Sequence, residues 1–297
     1  MTKNSKKLSG VFAPVVTPFV NDKVELQFLK ENLQKLGQSE LTGYLALGSN
    51  GEYKSLTDSE QIEVLEVFTE TKGDKVIMVG TGCESTFQTI EKSKIAAQMG
   101  FDYVSVLTPH YFGKRMDGPT LKDYFLRIAD SIEIPVLLYN APGFANGVTI
   151  PPQVVKELSK HPNIVGMKDS APTGPVKFLS VLDPDEDFSV LAGSANFFYP
   201  SLHLGATGGT LSTANAVPEV CCKLYDLFVQ GEFEQAKDLH NRISRLNQAI
   251  SGSWGVAGVK AAMDICGFKG GLPRHPLKQI NEEGIEKIKQ SMRDEGI

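Results

Sequence analysis

Short apolar runs alternate with amphipathic stretches along almost the whole chain. The runs are rich in Val, Ile and Leu, which is typical of strands that are buried on both faces. The pattern predicts eight strands, at Val11–Val16, Gly43–Leu47, Val76–Gly80, Tyr103–Leu107, Val136–Tyr139, Ile164–Lys168, Ser189–Ala192 and Gly208–Leu211. Eight strand–helix units in one chain favour an α/β fold closed as a (β/α)8 TIM barrel, and a doubly wound sheet is the second interpretation.

Helix signals lie between these runs. Thr57 followed by Glu60 forms a capping box, and Ser85 suits the N-cap of the next helix. After the eighth run, four further segments have helical patterns: Ala216–Val229, Phe233–Ile250, Val256–Cys266 and Glu282–Met292. We therefore predict a barrel at residues 1–230 and a C-terminal helical extension at 231–297 that packs on the barrel.

Composition narrows the class of function. The net charge of −5 argues against a nucleic-acid partner, and no apolar stretch is long enough to cross a membrane. The cysteines form no CxxC pair, which indicates reduced thiols in a cytoplasmic protein; they are Cys83, Cys221, Cys222 and Cys266. Neither metal-ligand spacing nor a phosphate-binding glycine motif is present, so we predict no metal and no cofactor.

Lys168 is the unusual residue of the predicted strands. It interrupts the apolar run Ile164–Met167, near the C-terminal end of a strand, where the active site of a barrel lies. A desolvated lysine more readily becomes a neutral amine, which is a nucleophile for a carbonyl carbon. From spacing alone, a lysine paired with a carboxylate is an equally good interpretation. Strand alternation places Ser170 on the side of Lys168 and Asp169 on the other side.

Two other strand ends carry polar side chains. The turn Gly48–Gly51 offers backbone amides together with Ser49 and Asn50, a set that suits a carboxylate, although Ser-Asn-Gly is also a common turn. Tyr139 stands where a proton shuttle would be useful, although half-buried packing explains it as well.

Three segments together resemble a known family. They are GSNGE at Gly48–Glu52, YNAP at Tyr139–Pro142 and GMKDS at Gly166–Ser170. In order and spacing they resemble the dihydrodipicolinate synthase / N-acetylneuraminate lyase family, and the likeness extends from Gly10 to about Leu277. The resemblance implies a class I mechanism without a cofactor, in which a lysine forms a Schiff base with a 2-oxo acid such as pyruvate.

The resemblance also implies roles for individual residues. Lys168 takes the place of the Schiff-base lysine, and Tyr139 that of the tyrosine that shuttles protons. Ser49 and Asn50 match the pair that binds the 2-oxo acid carboxylate. Tyr111 matches a tyrosine that often reaches into a neighbouring subunit's site, which implies a homotetramer built as a dimer of dimers.

Within the family, several segments look most like 4-hydroxy-2-oxoglutarate aldolases: the Ser49-Asn50 pair, His161–Ser170 and Leu191–Ala195. In those aldolases, Ser170 and Gly193 would also line the site. We therefore predict a lyase that releases pyruvate from, or condenses it with, an aldehyde.

The loop Gly143–Gly147 bears on the choice of aldehyde. The synthases of the family carry an arginine here for the second substrate's carboxylate, whereas this chain has Phe144, and Arg115 is the nearest substitute along the chain. We expect a 4-hydroxy-2-oxoglutarate aldolase. The alternatives are a 4-hydroxy-tetrahydrodipicolinate synthase, a 2-dehydro-3-deoxy sugar acid aldolase or dehydratase, a deaminase on the same Schiff base, and a non-catalytic 2-oxo acid binding protein.

Overall fold

Ten strands are present in the computed structural model, which describes residues 8–183 and 187–297. In chain order they are β1 Gly10–Pro14, β2 Phe19–Val20, β3 Lys23–Val24, β4 Gly43–Ala46, β5 Val76–Gly80, β6 Tyr103–Leu107, β7 Val136–Asn140, β8 Ile164–Asp169, β9 Ser189–Ala192 and β10 Gly208–Thr210. Eight of them form a closed barrel in the order β1-β10-β9-β8-β7-β6-β5-β4. The predicted (β/α)8 barrel is confirmed, and the doubly wound sheet is excluded.

Helices follow most of the barrel strands. They are α1 Leu26–Gly37, α2 Asp58–Thr71, α3 Thr86–Gln98, α4 Gly118–Ser131, α5 Pro152–Leu158, α6 Val176–Leu179, α7 Phe198–His203, α8 Pro218–Val229, α9 Phe233–Asn247, α10 Ser253–Ile265 and α11 Glu282–Asp294. The capping box of Thr57 and Glu60 is present at the start of α2, and the Ser85 side chain accepts from Gln88 N at the start of α3. A π-helical turn, Gln248–Gly252, joins α9 to α10, so the single helix predicted to reach Ile250 ends earlier.

The short hairpin of β2 and β3 was not predicted. Its two strands pair antiparallel and are joined by Asn21 and Asp22, which both have positive φ, at 51° and 62°. Two such residues form the tight turn that matches the twist of a hairpin. Each strand has only two residues, which is too short to show an alternating pattern.

The chain forms two compact units. The first contains the described part of Met1–Ser9 together with Val76–Gly209, and the second contains Gly10–Lys75 and Thr210–Ile297. Strands β5 to β9 belong to the first unit, whereas β1, β4 and helices α8 to α11 belong to the second. The predicted boundary between residues 230 and 231 stays a prediction.

Burial explains the apolar runs of the sequence. Every residue of β1, β6, β7 and β8 is buried. Within the described residues, the buried lysines are Lys168 and Lys260, with exposed fractions of 6% and 1%. A buried lysine needs a partner or a function, since an unpaired charge inside a protein is costly. These two side chains are therefore the starting points for the search for a site.

Candidate active site

Lys168 and Tyr139 face each other on adjacent strands of the first unit. Each is the last residue but one of its strand, β8 and β7, and the parallel register pairs them directly. Lys168 Nζ lies 4.4 Å from the centroid of the Tyr139 ring. Both side chains are buried, with 6% and 5% exposed. The amine therefore lies against an aromatic face near the C-terminal end of a barrel strand, where barrel enzymes have their active sites.

The residues that follow this pair tie the two strand ends together. Asp169 Oδ1 accepts from Asn140 Nδ2 at 2.6 Å and from Ala171 N at 3.2 Å. Asn140 Oδ1 in turn accepts from Ile150 N at 3.0 Å and from Thr149 Oγ1 at 3.0 Å. Burial raises the pKa of Asp169, while the hydrogen bond from Asn140 acts in the opposite direction. The sequence gave no role to this network, because its members lie far apart in the chain.

Ser170 and Gly193 meet just beyond the ends of β8 and β9. Ser170 N donates to Asn140 O at 2.9 Å, and Gly193 N donates to Asp169 O at 2.7 Å. A Cβ atom on Gly193 would lie 2.0 Å from Ser170 Oγ and 2.6 Å from Asp169 O. Only glycine permits so close an approach. The structure thus brings Lys168, Tyr139, Ser170 and Gly193 to neighbouring strand ends.

Tyr111 lies in a different environment. Its side chain is 76% exposed, and its ring stacks edge-on with that of Phe112, which is 67% exposed, at a centroid distance of 5.0 Å. Glu84 Oε2 holds the loop from below by accepting from His110 N at 3.0 Å and Tyr111 N at 2.8 Å. His110 Nδ1 lies 3.1 Å from Glu84 Oε1, which agrees with a structural role for this histidine. The two aromatic rings are therefore presented to solvent on a fixed loop.

The loop after β7 exposes Phe144. This side chain is 60% exposed, and the loop Gly143–Gly147 that carries it contains no arginine. Asn146 and Gly147 both have positive φ, at 49° and 78°, which gives the loop its return turn. Arg115 is also exposed, in a short helical turn at Gly113–Arg115.

In the second unit, the turn Gly48–Glu52 follows β4. Asn50 Nδ2 donates to Ser212 Oγ at 2.9 Å, and Gly51 O accepts from Thr17 Oγ1 at 2.8 Å. Glu52 Oε1 accepts from Lys260 Nζ at 2.5 Å, which links the turn to helix α10. Consecutive residues of the turn are thus fixed by different parts of this unit.

Two searches of the described residues returned nothing. Between residues 8 and 183 and between 187 and 297, no group of three or more His, Cys, Asp or Glu side chains is arranged to hold a metal ion. Over the same ranges, no helix has the length and apolar character needed to cross a membrane.

The comparison with known proteins decides the family. Residues 7–295 match the sequence model of the dihydrodipicolinate synthetase family. The chain belongs to this family. A 4-hydroxy-tetrahydrodipicolinate synthase from Methanospirillum hungatei JF-1 is 34% identical over 286 residues, which cover 95% of this chain and 97% of the relative. The predicted family and the predicted enzyme class, a lyase of the class I aldolase family, are confirmed.

Solved structures of the family share the fold. A 4-hydroxy-tetrahydrodipicolinate synthase from Methylacidiphilum fumariolicum SolV aligns with a TM-score of 0.88 and 27% identity over 98% of this chain and 96% of its own. A prophage protein of the family from E. coli K12, solved in complex with pyruvate, aligns with a TM-score of 0.86 and 25% identity over 97% of this chain and 99% of its own. The names of the synthases support the alternative function of the sequence analysis better than its first expectation, a 4-hydroxy-2-oxoglutarate aldolase.

Proposed function

We propose that this dihydrodipicolinate synthetase family member forms a Schiff base between Lys168 and a 2-oxo acid and then makes or breaks a carbon–carbon bond. The observation that carries the proposal is the buried Lys168 amine, 4.4 Å from the Tyr139 ring centroid at the ends of two paired strands. Little solvation is available to stabilise an ammonium there, which favours the amine as a nucleophile.

The chemistry follows from the imine. The amine adds to the 2-oxo carbon and water leaves, which gives a protonated imine that withdraws electrons from the neighbouring carbon. Loss of a proton from that carbon gives an enamine, whose carbon attacks an aldehyde, and water then releases the product from Lys168. Cleavage is the same sequence in reverse. Tyr139 is the proposed proton carrier, because a positioned acid or base is worth about 10²–10⁴-fold in rate.

We assign carboxylate binding to Ser49 and Asn50. Each supplies a hydrogen-bonding side chain in the turn after β4, and Asn50 is oriented by its bond to Ser212 Oγ at 2.9 Å. Ser170 and Gly193, at the ends of β8 and β9, are proposed to border the 2-oxo acid. These assignments rest on the resemblance of the motifs and on the strand ends that carry them.

The proposed aldehyde is aspartate semialdehyde, which would make the enzyme a 4-hydroxy-tetrahydrodipicolinate synthase. The names of the relatives support this choice. A second candidate, cleavage of a 4-hydroxy-2-oxo acid, is favoured by the exposed Phe144 in a loop without arginine. A buried substrate carboxylate usually pairs with a bidentate arginine, and leaving it unpaired costs about 1–3 kcal/mol or more.

The test is a side-by-side measurement of kcat/KM. The substrates are pyruvate with aspartate semialdehyde, 4-hydroxy-2-oxoglutarate, and 2-dehydro-3-deoxygluconate. The highest value with the semialdehyde supports the synthase, and the highest value with either of the others supports an aldolase. Phe144→Arg is expected to raise kcat/KM for the semialdehyde if the missing arginine limits it. Phe87→Arg, at a phenylalanine that is 74% exposed on α3, is the control and should change nothing.

We also propose a cytoplasmic homotetramer built as a dimer of dimers, with Tyr111 reaching a neighbouring subunit's site. The support is the exposed pair of Tyr111 and Phe112 on a loop fixed by Glu84. For the compartment, the support is that Cys83, Cys221, Cys222 and Cys266 form no disulfide. Sedimentation of the purified protein tests the assembly, and a monomer with full activity would contradict it.

A further inference from the structure

Lys260 is the second buried lysine, and the proposed reaction does not use it. It lies on α10 in the C-terminal part of the chain and is 1% exposed. Its Nζ donates to Glu52 Oε1 at 2.5 Å and to Leu272 O at 2.7 Å, and lies 4.5 Å from the centroid of the Phe19 ring. Burial lowers the pKa of Lys260 to about 8, against the opposing effect of Glu52.

Glu52 is held equally tightly. Its side chain is 2% exposed, and its second oxygen, Oε2, accepts from Arg274 N at 3.0 Å. The residue has a positive φ of 51°, a conformation that is uncommon for a side chain larger than that of Asn or Asp. A buried ion pair is weak support for stability, because apolar residues of similar size often serve as well or better. The pair therefore calls for an explanation in terms of what it positions.

The position of Glu52 in the chain supplies that explanation. Glu52 ends the turn that contains Ser49 and Asn50, the residues proposed to bind the substrate carboxylate. The preceding residues are fixed as well, since Gly51 O accepts from Thr17 Oγ1 at 2.8 Å and Asn50 donates to Ser212 Oγ at 2.9 Å. Those two bonds hold the middle of the turn. The Glu52–Lys260 bond holds its end, and it joins the turn to a helix 208 residues away in the chain.

We propose that Glu52 and Lys260 are positioning residues that keep the Ser49–Asn50 turn in the conformation that binds the 2-oxo acid carboxylate. The inference rests on the proposed function and adds to it a task for the C-terminal helices. The turn would contact the carboxylate in the free acid and in the imine alike. Loss of the pair should therefore weaken binding of the 2-oxo acid in both states, and so raise KM for pyruvate while kcat changes little.

The experiment uses the full-length enzyme with Glu52→Gln, Lys260→Met and the double variant. The main readout is the pyruvate concentration that gives half-maximal inactivation by borohydride, which reports binding at Lys168 without an aldehyde. Steady-state kcat and the melting temperature are measured on the same samples. Glu295→Gln is the matched control, because this carboxylate is 9% exposed and pairs with Arg245 Nε at 2.6 Å, in the C-terminal part of the chain.

Each variant has a distinct expected result. Glu52→Gln and Lys260→Met are expected to raise the half-saturating pyruvate concentration about 10-fold or more, because small displacements of binding groups have large effects. The double variant leaves no buried charge unpaired, so its melting temperature should recover toward the wild type while its half-saturation stays raised. Glu295→Gln should lower the melting temperature and leave half-saturation unchanged.

Other results would overturn the inference. Wild-type half-saturation in the folded double variant would mean that the pair is only structural, and so would equal shifts in all variants including Glu295→Gln. If Lys260→Met does not fold, Glu52→Gln and the double variant carry the same test. If the wild type itself is not inactivated by pyruvate and borohydride, the proposed function fails and the inference falls with it, a result that differs from normal labelling with unchanged half-saturation.

Discussion

Gly193→Ala is a small substitution at a position with no room for it. Gly193 follows β9, and its N–H donates to Asp169 O at 2.7 Å, one residue after Lys168. The new Cβ would lie 2.0 Å from Ser170 Oγ, 2.6 Å from Asp169 O and 2.9 Å from Ser170 Cα. The hydroxyl can rotate away. The two backbone atoms cannot, unless the strand end itself moves.

The size of the effect follows from these distances. Non-bonded carbon atoms pack at about 3.5–4.0 Å, so relief of the Asp169 O contact at 2.6 Å requires a shift of about 1 Å between the ends of β8 and β9. Overpacking of this kind costs about 1–3 kcal/mol of stability. A displacement of about 1 Å at a reacting group lowers the rate up to about 10²-fold. Because Lys168 precedes Asp169, we expect both effects.

The assay compares urea unfolding and kcat/KM for Gly193→Ala and Gly143→Ala. The control makes the same substitution at an exposed glycine where a Cβ would meet no atom within 4 Å. Gly193→Ala should lose stability and activity by the amounts above, and Gly143→Ala should match the wild type. If Gly193→Ala is as stable and as active as the wild type, the close approach of the two strand ends does not constrain Lys168.

Three further predictions concern proton transfer, acid stability and metals. Tyr139→Phe is expected to lower turnover about 10²–10⁴-fold while borohydride still traps the imine, because the lost hydroxyl moves protons; turnover near the wild type would leave Tyr139 a packing residue. A hydrogen bond from Arg274 lowers the pKa of Glu60 from 4.5 to about 2, so the stability this carboxylate contributes is present above pH 4.5 and lost as the pH falls toward 2. Glu60→Gln should therefore cost about 1–2 kcal/mol at pH 7, after allowance for solvent screening, and almost nothing near pH 2; a cost that does not change with pH, measured by urea unfolding, contradicts this. Activity should be indifferent to EDTA, since the described residues hold no metal cluster, and a loss restored by a divalent ion would refute a class I mechanism.

Much of the fold follows from the sequence, because buried parallel strands must be apolar on both faces. The strands at Val76–Gly80, Tyr103–Leu107 and Ser189–Ala192 have the predicted bounds, and the other five begin or end within two residues of the prediction. The hairpin Phe19–Val24 escaped prediction because its strands are too short for a period to be visible. Ends of elements depend on tertiary hydrogen bonds, which a local pattern does not contain.

The candidate site was predictable only in part. Lys168 stood out as a charge in an apolar strand, and its opposition to Tyr139 follows from strand register, which the sequence does not specify. Lys260 carried the same signal within the apolar segment Val256–Cys266, but its partner lies 208 residues away, so no spacing connects them. The exposure of Tyr111 also depends on loop geometry rather than on pattern.

Reductive trapping tests the central claim most directly. The full-length enzyme is treated with borohydride in the presence and absence of pyruvate, and its peptides are analysed by mass spectrometry. The account predicts irreversible inactivation only with pyruvate, one reduced pyruvyl group on the peptide that contains Lys168, and no labelling of Lys168→Ala. An unlabelled wild type, or a label that persists in Lys168→Ala, would contradict it.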